Sequence, residues 1–144
     1  MEQELDGTDL LMYAFRDIAA RALAAAVRDV MEEAYLAGIF DGEGSVFQNE
    51  GRWRVSVTNG HYRTLERFKE NFGGSITERK REKEHHAQCW SWNGSGSAAQ
   101  RMASALLPFL EIKREQVERA VEANWGLAKK DLQQEAGRVK RDSS

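Results

Sequence analysis

The stretch Leu36-Ala37-Gly38-Ile39-Phe40-Asp41-Gly42-Glu43-Gly44 sets the frame for the whole chain. Residues 31–40 read as helix, and the helix is expected to stop at Asp41-Gly42-Glu43-Gly44, where two glycines in four residues end a helix and permit tight backbone turns. Toward the N-terminus, residues 10–30 form an alanine-rich pattern with Leu11, Phe15, Ile18, Ala22 and Ala26 at helical spacing, and Thr8 or Asp9 is placed to cap its start.

Toward the C-terminus the period changes from helical to two. Ser45–Gln48 and Trp53–Asn59 read as strands joined by the polar loop Asn49-Glu50-Gly51. In the second strand Trp53, Val55 and Val57 point one way and Arg52, Arg54, Ser56 and Thr58 the other. An amphipathic helix over Tyr62–Phe72 follows, broken by Gly73-Gly74. A third strand is expected over Ser75–Arg81 and a fourth over Gln88–Asn93, in which Trp90 and Trp92 share the core face. A helix over Ala98–Leu107 is ended by Pro108, and a last helix runs from near Lys113 toward Gln134 with Val117, Ala120, Val121, Trp125 and Ala128 as its apolar stripe.

This order gives an α+β layout, an antiparallel four-stranded sheet covered by helices on one face, after an extra N-terminal helix. Residues 1–30 read as that helical extension, 31–136 as the domain and 137–144 as a polar tail. The uncovered sheet face is expected to hold Arg52, Arg54, Ser56, Thr77, Arg79 and Arg81, a basic surface suited to a DNA groove.

The net charge of −2 conceals an uneven distribution. Residues 1–50 carry 3 basic and 11 acidic side chains, residues 51–83 carry 9 and 4, and residues 84–144 carry 9 and 8. Positive charge therefore concentrates where the sheet is expected, as a phosphate-binding surface requires. No apolar stretch reaches the length of a membrane span, and no membrane partner is expected. The single cysteine, Cys89, excludes an intramolecular disulfide and suits a reducing, cytoplasmic setting. His85, His86 and Cys89 supply three ligands at most, without the paired spacing of a zinc site.

The nonapeptide resembles the motif that names the LAGLIDADG homing endonucleases, with Phe40, Gly42 and Glu43 as variants. Two further blocks are similar to single-motif members of that family. They are Val55–Asn59 leading into a helix that ends in Phe72-Gly73-Gly74-Ser75-Ile76, and Leu107-Pro108-Phe109-Leu110-Glu111-Ile112-Lys113-Arg114-Glu115-Gln116. The resemblance spans about residues 34–125 and implies the αββαββα endonuclease fold with a saddle-like sheet, acting on double-stranded DNA as a homodimer.

The resemblance also implies roles for individual residues. Glu43 and the carbonyl of Gly42 would bind Mg²⁺ or Mn²⁺, with no small-molecule cofactor, and Asp41 would order the helix end. Lys113, Asn59 and Arg63 would complete the catalytic pocket, since phosphodiester cleavage builds negative charge that a basic group stabilises. Leu36, Ala37, Gly38, Phe40 and Asp41 would form the dimer seam, where small residues let two helices approach closely. Phe47 and Asn49 would join the basic sheet face on DNA. The implied reaction is a staggered double-strand break in a long, near-palindromic target, in the service of intron or intein mobility. Two other roles on the same fold stay open at the level of sequence: a catalytically inactive DNA-binding regulator and a group I intron RNA maturase.

Overall fold

The computed structural model describes residues 6–127, which divide into two compact units, the first ending at Glu33 and the second beginning at Ala34. Helix α1, Gly7–Glu43, supplies the described secondary structure of the first unit and the opening helix of the second. Its start is capped by neither Thr8 nor Asp9. The carboxylate of Asp6 accepts the backbone N–H of Asp9 at 2.9 Å, the geometry of an N-cap serving the third helical residue. Within the first unit an exposed Asp17–Arg21 pair (3.0 Å) joins adjacent turns and contributes a few tenths of a kcal/mol. Leu11 and Phe15 are each 71% exposed, so the apolar stripe read from the sequence is present but remains open to solvent. Although α1 is long, no helix among the described residues is long and apolar enough to cross a membrane.

The second unit continues with β1 (Gly44–Asn49), β2 (Arg52–Asn59), α2 (Tyr62–Phe72), β3 (Ser75–Glu78), β4 (Trp90–Gly94), α3 (Ser97–Leu106) and α4 (Arg114–Glu122). The strands form one antiparallel sheet in the order β1-β2-β4-β3. Strands β1 and β2 are joined at Glu50-Gly51, both with positive φ (55° and 79°), the backbone of a two-residue hairpin whose twist matches the strands. Gly73 and Gly74, also at positive φ, turn the chain from α2 into β3.

The register settles which side chains share a face. Val57 lies opposite Trp92, and Trp92 opposite Ile76, so these three point to the same side. There they meet Leu36, Ala37 and Phe40 of α1, Leu65, Phe68 and Phe72 of α2, Met102 and Leu106 of α3, and Val117 and Ala120 of α4. Trp92 is wholly buried, its ring 5.1 Å from that of Phe68, and its indole N–H donates to the Gly73 carbonyl at 2.8 Å. Trp92→Ala should therefore cost about 3–5 kcal/mol, while Trp92→Phe, which strands the Gly73 carbonyl, should cost about 1–3 kcal/mol. Urea unfolding followed by circular dichroism measures both, and a Trp92→Phe protein as stable as wild type would show that the indole hydrogen bond contributes nothing.

Two elements end sooner than their sequence pattern predicts. Strand β3 stops at Glu78, and only the N–H of Arg79, donating to the Cys89 carbonyl at 2.9 Å, continues the ladder. Arg81 lies beyond the strand, its Nη1 3.5 Å from the Glu84 carbonyl. Helix α4 ends at Glu122 rather than near Gln134. Asn124, Trp125 and Gly126 form a 3-10 turn with all three φ values positive. Gly126 approaches the β1–β2 hairpin so closely that a Cβ there would lie 2.1 Å from the Gly51 carbonyl oxygen. Trp125 is still buried, so the apolar contact read from the stripe survives although the helix does not reach it. Ala128–Gln134 and the tail 137–144 lie outside the described residues.

Candidate active site and nucleic-acid interface

The end of α1 determines the site. Leu36, Ala37 and Phe40 face the chain's own core and are fully buried, so they cannot line a seam with a second chain. This corrects the expectation for those three residues. The cause is helical rotation: positions 36, 37 and 40 share one side of the helix, and Ala34, Gly38 and Gly42, spaced four apart, share the other. Those three are exposed, and a Cβ placed on Gly38 or Gly42 meets no atom within 4 Å. Asp41 lies between the two faces, half-buried. Gly44 is required for a different reason, because a Cβ there would lie 2.5 Å from both the Phe40 ring and its carbonyl oxygen.

Asp41 anchors the chain that follows α3. Its two carboxylate oxygens accept the backbone N–H groups of Glu111 and Lys113, each at 3.0 Å. A segment 70 residues away in sequence is thereby tied to the end of α1, and Lys113, half-buried, becomes the N-cap residue of α4 beside the motif.

Glu43, exposed at the last helical position, accepts a hydrogen bond from the side-chain amide of Asn59. The Asn59 carbonyl oxygen in turn accepts the His61 N–H at 2.7 Å, which fixes which way the amide points and holds its NH₂ toward Glu43. The strand end and the helix end are therefore tied through these two side chains. Arg63 is placed differently. Its guanidinium pairs with Glu70 at 2.6 Å along the exposed side of α2, and that hydrogen bond and charge hold the guanidinium above its ordinary range. Glu43, Asn59, Asp41 and the Lys113 backbone are thus brought together, while the Arg63 side chain is engaged by Glu70.

The donor set at the end of α1 suits a hard divalent cation. The Gly42 carbonyl is among the last four of the helix, which have no partner within it, and the neighbouring donor is the Glu43 carboxylate. Both are oxygen ligands. Among the described residues no group of three or more His, Cys, Asp or Glu side chains could hold a metal.

The sheet face away from the helices carries the other candidate residues. Cross-strand pairing places Phe47 opposite Arg54, Asn49 opposite Arg52 and Ser45 opposite Ser56. On the far side, Ser56 pairs with Asn93, Thr58 with Ser91 and Thr77 with Ser91. Phe47, 41% exposed, therefore stands on the open face. Ser91 and Asn93 are members of this face that sequence reasoning passed over, although their alternation with Trp90 and Trp92 in 90–94 was the available signal. A polar network links the face across strands: the Thr58 and Ser91 hydroxyls lie 2.7 Å apart, and Asn93 donates to the Thr77 hydroxyl at 3.1 Å. Arg79 and Arg81 extend the basic character beyond the strand end as exposed loop residues.

An antiparallel sheet with helices on one side only, opened by a helix that ends in paired acidic positions, defines an α+β protein of the αββαββα class. The profile of the LAGLIDADG-like domain matches residues 31–109, more than half of the sequence, and the chain belongs to that family. Among solved structures, the homing endonuclease I-CvuI in complex with its target is similar with 23% identity over 67% of each chain and a TM-score of 0.50, a likeness of fold. I-CvuI in complex with the I-CreI target shows 24% identity over 66% of each chain and a TM-score of 0.48. The archaeal intron-encoded homing endonuclease I-Vdi141I complexed with DNA shows 21% identity over 79% of this chain and 85% of that one, with a TM-score of 0.46. No curated protein matches the chain.

Proposed function

We propose that this chain is a site-specific, divalent-metal-dependent DNA endonuclease that acts as a homodimer. One observation carries the reading: the Glu43 carboxylate, held by Asn59, stands beside the Gly42 carbonyl at a helix end to which Asp41 also ties Lys113. Family membership supports it, as do the DNA complexes of the homing endonucleases that it is similar to.

Each group has a definable task. Glu43 and Gly42 would hold Mg²⁺ or Mn²⁺, which when bound supplies a Lewis acid for the scissile phosphate and its attacking water. Asn59 orients the Glu43 carboxylate. Lys113 stabilises negative charge developing on the phosphate oxygens, and the backbone N–H hydrogen bonds that Asp41 accepts from Glu111 and Lys113 keep it at the site. Arg63 contributes to the same pocket if DNA draws its guanidinium from Glu70. On the open face Arg52, Arg54, Ser56, Thr77, Arg79, Arg81, Asn49 and Phe47 contact one half-site in the major groove, arginines favouring guanine edges and phosphates.

The dimer follows from the same helix. Two copies pairing along Ala34, Gly38 and Gly42 bring their backbones together and set the two Glu43 sites side by side, one for each strand. The target is accordingly long and near-palindromic, with staggered cuts that leave 3′ overhangs. Gly38→Leu tests the seam. The new side chain meets nothing in its own chain, so stability should rise by up to about 1 kcal/mol from the loss of a helix glycine. Pairing should fail, light scattering should report the mass of one chain, and cleavage should be lost. A stable, dimeric and active Gly38→Leu protein would refute the seam.

The function itself is tested by selecting bound duplexes from a randomised library and incubating them with protein and Mg²⁺. Recovery of a two-fold-related consensus that is cut on both strands supports the proposal. Binding without cutting turns the reading to a regulator, and preference for structured RNA turns it to a maturase.

A further inference from the structure

The β2–β4 ladder begins at Val55, opposite Gly94, so Arg52, Trp53 and Arg54 lie beyond it. Their cross-strand partners are Asn49, Gln48 and Phe47 of β1, and the six residues form a two-stranded overhang at the end of the sheet away from Glu43. A two-stranded ribbon is marginal in water unless something packs against it. The turn after α4 does so. Gly126 lies so close that a side chain there would collide with the Gly51 carbonyl and crowd the Arg52 Cα. Arg52, Trp53, Arg54, Trp125 and Leu127 line one narrow gap between hairpin and turn. The turn itself is strained, because Asn124, Trp125 and Gly126 take φ values of 50°, 56° and 75°. Asparagine tolerates this region, but a bulky aromatic residue is an outlier there and stays only where its surroundings hold it. Burial of Trp125 in the core supplies that hold.

We propose that the Asn124–Gly126 turn is a positioning element that braces this overhang and so decides how strictly the outer base pairs of each DNA half-site are read. Its DNA side rests on the proposed function, which puts Phe47, Asn49, Arg52 and Arg54 in the groove. At about 3.3 Å per residue, Asn49 lies roughly 17 Å along β1 from Gly44, the residue after Glu43. That is about five base pairs of duplex at roughly 3.4 Å each. Base-edge hydrogen bonds discriminate only while the donors are held in place, whereas phosphate contacts carry no sequence information. A loosened brace therefore relaxes discrimination at the outer pairs and leaves the pairs near the cut as they were.

Three full-length variants test the brace. Gly126→Ala collides with the hairpin backbone directly. Asn124 is exposed, so Asn124→Ala and Asn124→Gly differ chiefly in how readily position 124 takes a positive φ. In hydrogen exchange without DNA, the amides paired between β1 and β2 should exchange about tenfold faster in Asn124→Ala, the scale of a disfavoured backbone conformation. Gly126→Ala should show at least as much, and Asn124→Gly should match wild type. Cleavage of the selected duplex is then compared with cleavage of duplexes mismatched at one pair, a change that costs wild type on the order of tenfold or more. That penalty should shrink at the outer pairs in Asn124→Ala and Gly126→Ala, persist at the inner pairs, and return in Asn124→Gly. Trp92→Phe, destabilised in the core away from the turn, is the control for a general loss of stability. Unchanged hairpin exchange in both Ala variants overturns the brace. Faster exchange with outer discrimination intact, or a loss spread evenly along the half-site as in Trp92→Phe, overturns its link to base reading. A protein that selects no duplex contradicts the proposed function instead, and the exchange result still decides whether the turn holds the hairpin.

Discussion

Replacing Glu43 by Gln should leave the protein folded and bound to its DNA while slowing cleavage by roughly 10²–10³-fold or more, the scale on which one group stabilising charge in a transition state is felt. Gln keeps the shape of the side chain and an oxygen that still accepts the Asn59 amide, so local structure is conserved. What it loses is the negative charge that a hard cation needs. Glu43 is exposed, so unfolding free energy should change by no more than about 0.5 kcal/mol. Single-turnover cleavage, filter binding and urea unfolding on one preparation separate these three quantities. Wild-type cleavage by the variant would remove Glu43 from the metal site.

Asp41→Asn should damage both stability and turnover, which distinguishes a positioning residue from a metal ligand. Both oxygens of the carboxylate receive backbone N–H groups, so an Asn must turn its own NH₂ toward one of them. Hydrogen bonds to a charged acceptor are worth about 1.5–3 kcal/mol each, and here one is lost, leaving a donor facing a donor, and the other is weakened. The expected destabilisation is about 2–4 kcal/mol. Release of the 111–113 segment should also displace Lys113, for which a shift of about 1 Å can cost on the order of 10²-fold in rate. The split to look for is a lowered cleavage rate at saturating DNA with little change in DNA affinity. A variant as stable and as fast as wild type would show that the two backbone bonds do not hold the site together.

Features governed by local periodicity were legible in the sequence. The alternation in 52–58 placed Val55 and Val57 in the core, and the spacing of Trp90 and Trp92 put both on the helix side, where Trp90 packs against Tyr62 at 5.3 Å. Features set by distant contacts were not. The end of α4 depends on Gly126 meeting the carbonyl of Gly51, and nothing within 113–134 announces that contact. The end of β3 depends on where β4 begins, at Trp90 rather than Gln88, so the ladder ends at the Arg79 N–H and does not reach Arg81. Within the motif, residue type misled because Ala37 is small enough for a seam but lies on the same side as Leu36 and Phe40. Small size shows where two helices can approach, and only the position of the core decides which small residues do. Conversely, the fixing of Lys113 by Asp41 joins residues 72 apart, a pairing that no reading of periodicity detects.

The most direct test uses a supercoiled plasmid carrying the selected duplex, incubated with the wild-type chain and Mg²⁺ and then resolved by electrophoresis. A two-chain site with one Glu43 for each strand predicts conversion to the linear form, abolished by EDTA and by Glu43→Gln. A plasmid that is bound by the protein in Mg²⁺ yet stays supercoiled would contradict it.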